Sequence, residues 1–274
     1  MKIISLIKKL FIKKPKKLGL AIGSGGAKGM AALGVCKALE ENGVSFDAFG
    51  GTSIGSILGG LLADNHTIDE IFSFIKQFDV TNPTTLVMMK LRGETAEKLL
   101  NKVMGGQTFE NLKKPCFAVA CDVNTGEEIV LEGGLVARAM AASSAIPPLF
   151  RPVAINNRKL IDGAFVNALP ADLLKKRGAD IVIGINLTDR KKNLNSLRVI
   201  NKLYPGHKVK KADRLTKGLN ACDLVFEPDL SGFTASSVDK LMEMYNRGYR
   251  AGIELMPDLL KLLKKNRIKI KKGR

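Results

Sequence analysis

The stretch Gly51-Thr52-Ser53-Ile54-Gly55 matches the pattern Gly-x-Ser-x-Gly. It follows the apolar run Phe46–Gly50, which is typical of a strand, and precedes Ser56–Leu62, whose composition predicts a helix. In a Gly-x-Ser-x-Gly pattern the glycines permit a sharp turn from strand to helix that exposes the serine hydroxyl at the end of a sheet. Ser53 is therefore a candidate nucleophile, and a plain structural turn is the alternative interpretation.

A second glycine-rich segment, Gly23-Ser24-Gly25-Gly26-Ala27-Lys28-Gly29, connects the predicted strand Leu18–Ile22 to the predicted helix Met30–Asn42. A dinucleotide-binding pattern is excluded because its sixth position is Lys28, and a P-loop is excluded because Lys28 is followed by glycine. Free backbone N–H groups at the start of a helix can instead bind an anion or an oxyanion. The segment thus supplies a second component of an acyl-transfer site.

A serine nucleophile also needs a base, and the chain contains only two histidines. His66 precedes a predicted helix among polar residues, and His207 lies in a basic stretch, so both are interpreted as surface residues. The triplet Asp162-Gly163-Ala164, at the end of a predicted strand, offers a carboxylate as the alternative.

Strand and helix patterns alternate along the whole chain, which predicts an α/β fold with a mixed sheet. Further predicted strands are Cys116–Asp122, Glu128–Leu131, Val153–Ile155, Lys159–Ile161 and Ile181–Leu187. Further predicted helices are Thr67–Phe78, Leu135–Ser143, Ala171–Arg177 and Ser236–Leu255. The polar stretch Arg190–Lys217 is predicted to be a surface excursion or a lid.

The composition is that of a folded protein. Apolar residues make up 45% of the 274 residues, which excludes disordered, collagen-like and disulfide-scaffold classes. No uncharged apolar run reaches the length of a membrane-spanning helix. The four cysteines form no Cys-x-x-Cys pair and have no histidine at zinc spacing, so we expect reduced thiols in a cytosolic protein and no metal site.

The net charge of +18 is concentrated at the two ends of the chain. Residues 1–17 contain seven lysines, residues 261–274 contain eight lysines and arginines, and neither stretch contains an acidic residue. Residues 18–260 have 29 basic and 26 acidic side chains, so the body is nearly neutral. This distribution argues against a nucleic-acid partner, whose binding domain would have the charge on the fold itself, and favours an anionic surface.

Residues 1–17 are predicted to be a basic amphipathic segment, residues 18–257 the folded domain, and residues 258–274 a basic tail. Within Met1–Lys14 the apolar residues fall on one helical face and the lysines on the other, and Pro15 ends the pattern. One interpretation is a helix lying in the plane of an anionic bilayer, and the other is a helix packed on its own domain.

These motifs together resemble those of the patatin-like phospholipases, in the bacterial branch related to neuropathy target esterase. The resemblance rests on the glycine segment, the Ser53 pentapeptide and the Asp162 triplet in that order, and it extends from about Leu18 to Tyr249. Two further segments agree, Ala142-Ser143-Ser144-Ala145-Ile146-Pro147 and Asp122-Val123-Asn124-Thr125-Gly126-Glu127. Ser24 departs from the family pattern, which often has glycine at that position.

The resemblance implies a three-layer α/β fold and a serine–aspartate dyad, with Ser53 as the nucleophile and Asp162 as the base. The N–H groups of Gly25 and Gly26, with Ala27, would hold the oxyanion, and no metal or cofactor is implied. Lys28 would either contact a lipid phosphate or remain a solvated lysine. The remaining motif glycines are Gly29, Gly51, Gly55 and Gly163.

The expected function is hydrolysis of acyl esters of phospholipids or lysophospholipids through an acyl-enzyme on Ser53. The alternatives are a soluble carboxylesterase or thioesterase, a lipid acyltransferase, and an inactive membrane-surface scaffold. The expected partners are a lipid substrate and an anionic membrane surface that binds the basic ends. The expected location is the cytoplasm, with peripheral attachment at the inner face of the cell membrane.

Overall fold

A computed structural model describes residues 15–77, 93–189, 196–209 and 213–271. The amphipathic helix predicted over Met1–Lys14 lies outside these residues. Among the described helices, none has both the length and the apolar character required to cross a membrane.

The described residues form one sheet with helices on both faces. Its strands are β1 (Leu18–Ile22), β2 (Ala48–Thr52), β3 (Cys116–Asp122), β4 (Glu128–Leu131), β5 (Val153–Ile155), β6 (Arg158–Asp162), β7 (Ile181–Ile185) and β8 (Leu224–Phe226). The helices are α1 (Gly29–Glu41), α2 (Ile54–Ala63), α3 (Ile68–Gln77), α4 (Gly93–Met104), α5 (Val136–Ser143), α6 (Ala171–Lys176), α7 (Ser196–Leu203), α8 (Thr216–Ala221), α9 (Leu241–Glu254) and α10 (Met256–Lys265). The mixed α/β sheet expected from the sequence is confirmed.

The strand order is β5-β6-β3-β2-β1-β7-β8, with β4 also paired to β3. Strands β3, β2, β1, β7 and β8 are parallel neighbours, whereas β4 and β6 run antiparallel to β3. Parallel strands that are covered on both faces have continuous apolar sequences. Every residue of β1, β3 and β7 is buried, in agreement with that rule.

One pairing feature of β3 positions the site. β4 lies along one edge of β3, so β2 and β6 must share the opposite edge. Thr52 at the end of β2 pairs with Val119, and Asp162 at the end of β6 pairs with the next residue, Ala120. The two strands therefore meet end to end, and the residues that follow Thr52 lie beside Asp162.

Helix α2 packs on β1, β2 and β3, and in the same core cluster α1 and α9 pack against each other with their backbones in close contact. A Cβ added at Gly34 would overlap the carbonyl oxygen of Tyr245, and one added at Gly248 would overlap that of Ala31. Helix α6 and the short helix α8 contribute to a second apolar cluster with Phe117 and Val119. The sheet is the middle of three layers.

The structure differs from the sequence prediction at the C-terminal end. Residues 258–274 were expected to be a basic tail, but most of α10 falls in this range and buries Leu259 and Leu263 in the main core. Further along, the Lys271 N–H donates to the Gly43 carbonyl oxygen at 3.0 Å. The leucines are spaced four apart, so one apolar face docks while the lysines remain outside.

Four other segments also differ. Helix α4 and strand β8 were not predicted, and the excursion over Arg190–Lys217 contains α7. β8 has only three residues, which is too short for a periodic pattern. The predicted helix Ser236–Leu255 begins at Leu241, after a short 3-10 turn over Val238–Lys240.

Candidate active site

Ser53 occupies the turn between β2 and α2. Its φ of 56° and ψ of −126° are strained for a residue with a side chain. The surroundings hold it there: its N–H donates to Ser143 Oγ at 2.9 Å, and its carbonyl oxygen accepts from Ser56 Oγ at 2.7 Å. Strain of this kind is characteristic of functional residues.

Ser143 connects this turn to the sheet. It is fully buried, and its hydroxyl accepts from the Ser53 N–H while donating to the Val119 carbonyl oxygen at 2.6 Å. Both interactions of the hydroxyl are therefore made with backbone groups. In the sequence Ser143 is only one residue of a segment shared with the family, and no local pattern indicates its role in positioning Ser53.

Ser53 and Asp162 are in direct contact although 109 residues separate them in the sequence. The Ser53 Oγ donates to Asp162 Oδ2 at 2.7 Å, and both side chains are buried, with 8% and 2% of each residue exposed. The other carboxylate oxygen, Oδ1, accepts from the Ala164 N–H at 2.8 Å. The hydrogen bond from Ala164, in the turn that follows Asp162, thus orients the carboxylate towards the Ser53 hydroxyl.

Burial raises the pKa of Asp162 to about 6 from its ordinary value near 3.8. The hydrogen bonds from Ala164 and Ser53 and the charge of Arg214 oppose this rise, because each favours the ionised form. The carboxylate is therefore ionised at neutral pH but is a better proton acceptor than an exposed aspartate.

Neither histidine takes part in this arrangement. His66 lies near Asp64 and Glu70, and the ring of His207 pairs with Asn201 and accepts from the Val209 N–H. The prediction that both histidines are outside the site is in agreement with these contacts.

The glycine segment leaves two N–H groups unused. Within the described residues, the N–H groups of Gly25 and Gly26 have no hydrogen-bond acceptor, whereas those of Gly23 and Ser24 donate to the Ile185 and Ala168 carbonyl oxygens. Gly26 has a φ of 57°, and a Cβ there would lie 2.6 Å from the Ala235 carbonyl oxygen. Only glycine fits this position, and its conformation leaves the two N–H groups available.

The predicted contribution of Ala27 to an oxyanion site is corrected by the structure. Its N–H donates to the Ala235 carbonyl oxygen at 2.9 Å and is not available to a ligand. Ala235 belongs to the segment before α9, a long-range partner that the local sequence pattern does not reveal.

The other motif glycines share one property, which is that a side chain would collide with a neighbouring element. At Gly55 a Cβ would overlap the Ile22 carbonyl oxygen, and at Gly163 it would overlap that of Val119. The same holds for Gly25 against Leu187, Gly29 against Ile54, and Gly51 against Gly55. The two motif turns and the glycine segment can therefore approach one another closely.

Lys28 lines a cavity of about 420 Å³ beside the glycine segment. Asp189, Glu227 and Asp229 line the same cavity. Three carboxylates make this surface unfavourable for a phosphate, so the predicted phosphate contact of Lys28 gains no support from its surroundings.

The four cysteines are all free thiols, as expected.

The chain is similar in sequence to several curated proteins. The chain is 31% identical over 182 residues to lysophospholipase NTE1 of Candida albicans, a match that covers 62% of this chain and 13% of that protein. It is 34% identical over 164 residues to an uncharacterized NTE family protein of Mycobacterium tuberculosis, covering 58% and 28%. It is 31% identical over 189 residues to patatin-like phospholipase domain-containing protein 7 of Rattus norvegicus, covering 63% and 14%. The chain thus spans about an eighth to a quarter of these relatives.

Among solved structures, VipD from Legionella pneumophila has the same fold, with a TM-score of 0.56 at 15% identity over 89% of this chain and 67% of that one. The family model for patatin-like phospholipase matches residues 20–175, a range that includes the glycine segment, Ser53 and Asp162. The resemblance drawn from the motifs is confirmed. The chain belongs to the patatin-like phospholipase family.

Proposed function

We propose that this chain is a serine acyl hydrolase that cleaves acyl esters of phospholipids or lysophospholipids. The hydrogen bond of 2.7 Å from Ser53 Oγ to Asp162 Oδ2, formed at a strained turn, is the observation that carries the proposal. A buried hydroxyl held against a carboxylate is the arrangement of an activated nucleophile and its base. The family membership, and relatives named lysophospholipase, support a lipid ester as the substrate class.

In the first half of the proposed reaction, Ser53 Oγ attacks the ester carbonyl carbon while Asp162 accepts the hydroxyl proton. The N–H groups of Gly25 and Gly26 donate to the oxyanion that forms. The bond from the carbonyl carbon to the alcohol oxygen then breaks, and Asp162 passes the proton to the leaving alcohol. The acyl group remains on Ser53 as an ester.

Water completes the cycle in the second half. Asp162 accepts a proton from the attacking water, the bond between the acyl carbon and Ser53 Oγ breaks, and the proton returns to Ser53 Oγ. The products are the fatty acid and the free enzyme. Because Asp162 alternates as base and acid, a pKa of about 6 is better matched to both steps than the ordinary value of an aspartate.

A fluorophosphonate probe tests the proposal directly, because it reacts covalently with activated serines. We expect one equivalent of label on the purified protein, located on Ser53 by peptide mass spectrometry. An unlabelled protein with an intact fold would contradict the hydrolase and favour the scaffold. Release of free fatty acid from labelled lysophospholipid, measured with and without an added alcohol acceptor, distinguishes hydrolysis from acyl transfer.

We predict that Ser143→Ala weakens the turn that presents Ser53. The change leaves the Ser53 N–H and the Val119 carbonyl oxygen without a partner in a buried site, at a cost of about 1–3 kcal/mol each in unfolding free energy. We expect lower stability in urea unfolding and a kcat/KM lower by about tenfold or more. Ser144→Ala is the matched control, because the buried Ser144 Oγ has no partner among the described residues. Equal effects of the two substitutions would contradict the positioning role.

We also propose that the basic ends attach the protein to an anionic membrane. Lys16 Nζ donates to Asn266 Oδ1 at 2.7 Å, so the N-terminal segment joins the body next to the end of α10. The described basic residues before β1 therefore lie beside the basic last turn of α10. Lys16 and Lys17 precede β1, whereas Ser53 follows the parallel strand β2, so the attachment is at the end of the sheet opposite Ser53.

Deletion of residues 1–14 tests this attachment and leaves Lys17, whose backbone pairs with Asp180, in place. The deletion removes five lysines, and at about 1 kcal/mol for each lysine near an anionic surface, vesicle binding should fall by at least about tenfold. Hydrolysis of a soluble short-chain ester should change by less than about twofold, because the site is at the other end of the sheet. Vesicle co-sedimentation and thermal melting are the measurements.

A full-length variant with the five lysines replaced by glutamine separates charge from length. It should also lose vesicle binding, and wild-type binding should weaken as salt rises. If the truncated protein had a much lower melting temperature but sedimented with vesicles as the full-length protein does, attachment through this segment would be contradicted. That result would favour a helix packed on its own domain.

A further inference from the structure

The segment at Asp213–Lys217 packs against the loop that follows Asp162. The Arg214 carbonyl oxygen accepts from the Ala168 N–H at 2.8 Å, and the Arg214 guanidinium Nη1 donates to the Ala164 carbonyl oxygen at 2.9 Å. Lys217 Nζ lies 2.8 Å from Asp172 Oδ2, which gives the same segment a second anchor. The two contacts made by Arg214 connect this segment to the loop from Asp162 to Ala168.

Ala164 links this segment to the carboxylate. Its N–H donates to Asp162 Oδ1, and its carbonyl oxygen accepts from the half-buried guanidinium of Arg214. Since arginine remains charged at all physiological pH values, the site has a permanent positive charge near a buried carboxylate. A charge in a partly desolvated environment acts more strongly than one at the surface.

Among the residues that the structure describes, the other groups that face Asp162 do not supply this charge. They are the Ser53 hydroxyl, the Ala164 N–H and the Cys121 thiol on β3, whose pKa burial raises to about 12. All three are uncharged over the pH range in which Asp162 titrates. The hydrogen bonds from Ala164 and Ser53 and the charge of Arg214 lower the pKa of Asp162 against the effect of burial, and Arg214 is the charged group among these three.

We propose that Arg214 is a positioning residue for the reaction, holding the Asp162 loop through Ala164 and supplying the positive charge that keeps the carboxylate able to accept the Ser53 proton. This proposal rests on the proposed function, because it concerns the same base. Arg214 does not contact the Ser53 hydroxyl, so its effect passes through Asp162. Its sequence position, in a stretch predicted to be a surface excursion, gave no indication of such a role.

The test is the pH dependence of kcat/KM for a soluble short-chain ester, measured on the full chain. In Arg214→Gln we expect the midpoint of the acid limb to move up by about one pH unit, because a carboxylate without its cation takes up a proton more readily. The loss of rate should therefore be larger at pH 6 than at pH 8. In Arg214→Lys, which retains the charge, the midpoint should stay near the wild-type value while the rate falls.

Lys217→Met is the matched control, because Lys217 anchors the same segment but pairs with Asp172 and Glu128 rather than with the Asp162 loop. Its acid limb should not move. A purely structural role for Arg214 predicts lower melting temperatures with an unchanged midpoint in every variant, and this result would overturn the proposal. Fluorophosphonate labelling of wild-type Ser53 checks the hydrolase itself, so a failure of the proposed function is recognised separately.

Discussion

Replacing Ser53 with alanine is expected to abolish ester hydrolysis and fluorophosphonate labelling. Removal of an activated nucleophile costs several orders of magnitude in kcat, and a loss of at least about a thousandfold is expected here. The fold should survive, because the substitution removes one oxygen atom and leaves the backbone contacts with Ser143 and Ser56 in place. Turnover of a soluble ester and circular dichroism are the measurements.

Ser56→Ala is a suitable control for this substitution. Ser56 lies three residues away and donates to the Ser53 carbonyl oxygen, but its hydroxyl has no contact with Asp162. It should retain probe labelling at a reduced rate. If Ser53→Ala kept even a tenth of the wild-type activity, Ser53 would not be the nucleophile.

Asp162→Asn should have a comparably large effect on turnover. The amide has nearly the same shape, and its oxygen can still accept from the Ala164 N–H, but it cannot accept a proton from Ser53. We expect kcat/KM to fall by about a hundredfold or more at neutral pH. His66→Ala and His207→Ala should each remain within about fivefold of wild type, or roughly 1 kcal/mol in the barrier. If either histidine variant were as inactive as Asp162→Asn, the site would be a serine–histidine–aspartate triad rather than a serine–aspartate dyad.

The pKa of Asp162 also predicts how activity and stability depend on pH. Activity of the wild type should fall below about pH 6, because protonated Asp162 cannot act as a base. The folded pKa lies above the ordinary value near 3.8, so the folded state binds more protons than the unfolded state between about pH 4 and pH 6. Stability from this group is therefore lost as pH rises through that window.

Asp162→Asn removes this ionisation penalty, which amounts to about 3 kcal/mol above pH 6. The inactive variant should thus melt higher than wild type at pH 8, and the difference should shrink towards pH 4. Thermal melting at the two pH values checks it. A variant that is less stable than wild type at pH 8 would contradict a buried, ionised carboxylate.

Local sequence patterns predicted the strands well. β1 and β3 begin and end where the apolar runs predicted, since burial on both faces leaves a continuous apolar sequence. The bounds of β4 also agree with the prediction, although most of its residues are only partly buried. The patterns did not predict an element that is too short to show a period, nor a basic helix that packs against the core with one face. The three-residue strand β8 had too few residues for a period, and the lysines of α10 concealed the two buried leucines.

For the candidate site, local spacing in the amino-acid sequence indicates the two turns. The glycines around Ser53 permit a strained turn, and the triplet at Asp162 ends a strand with a carboxylate. The role of Asp162 as the base is what the family resemblance implies, because the triplet alone is a common turn.

Which of these groups come into contact depends on how the chain packs. Ser53 lies next to Asp162 because β2 and β6, which are more than a hundred residues apart in the sequence, both pair with the same edge of β3. Packing also places the Ala235 carbonyl oxygen where it accepts from the Ala27 N–H, and it places Arg214 against the Asp162 loop. Hydrogen bonds and charges between distant segments depend on how the chain packs, and a local pattern carries no information about partners that packing alone brings within 3 Å.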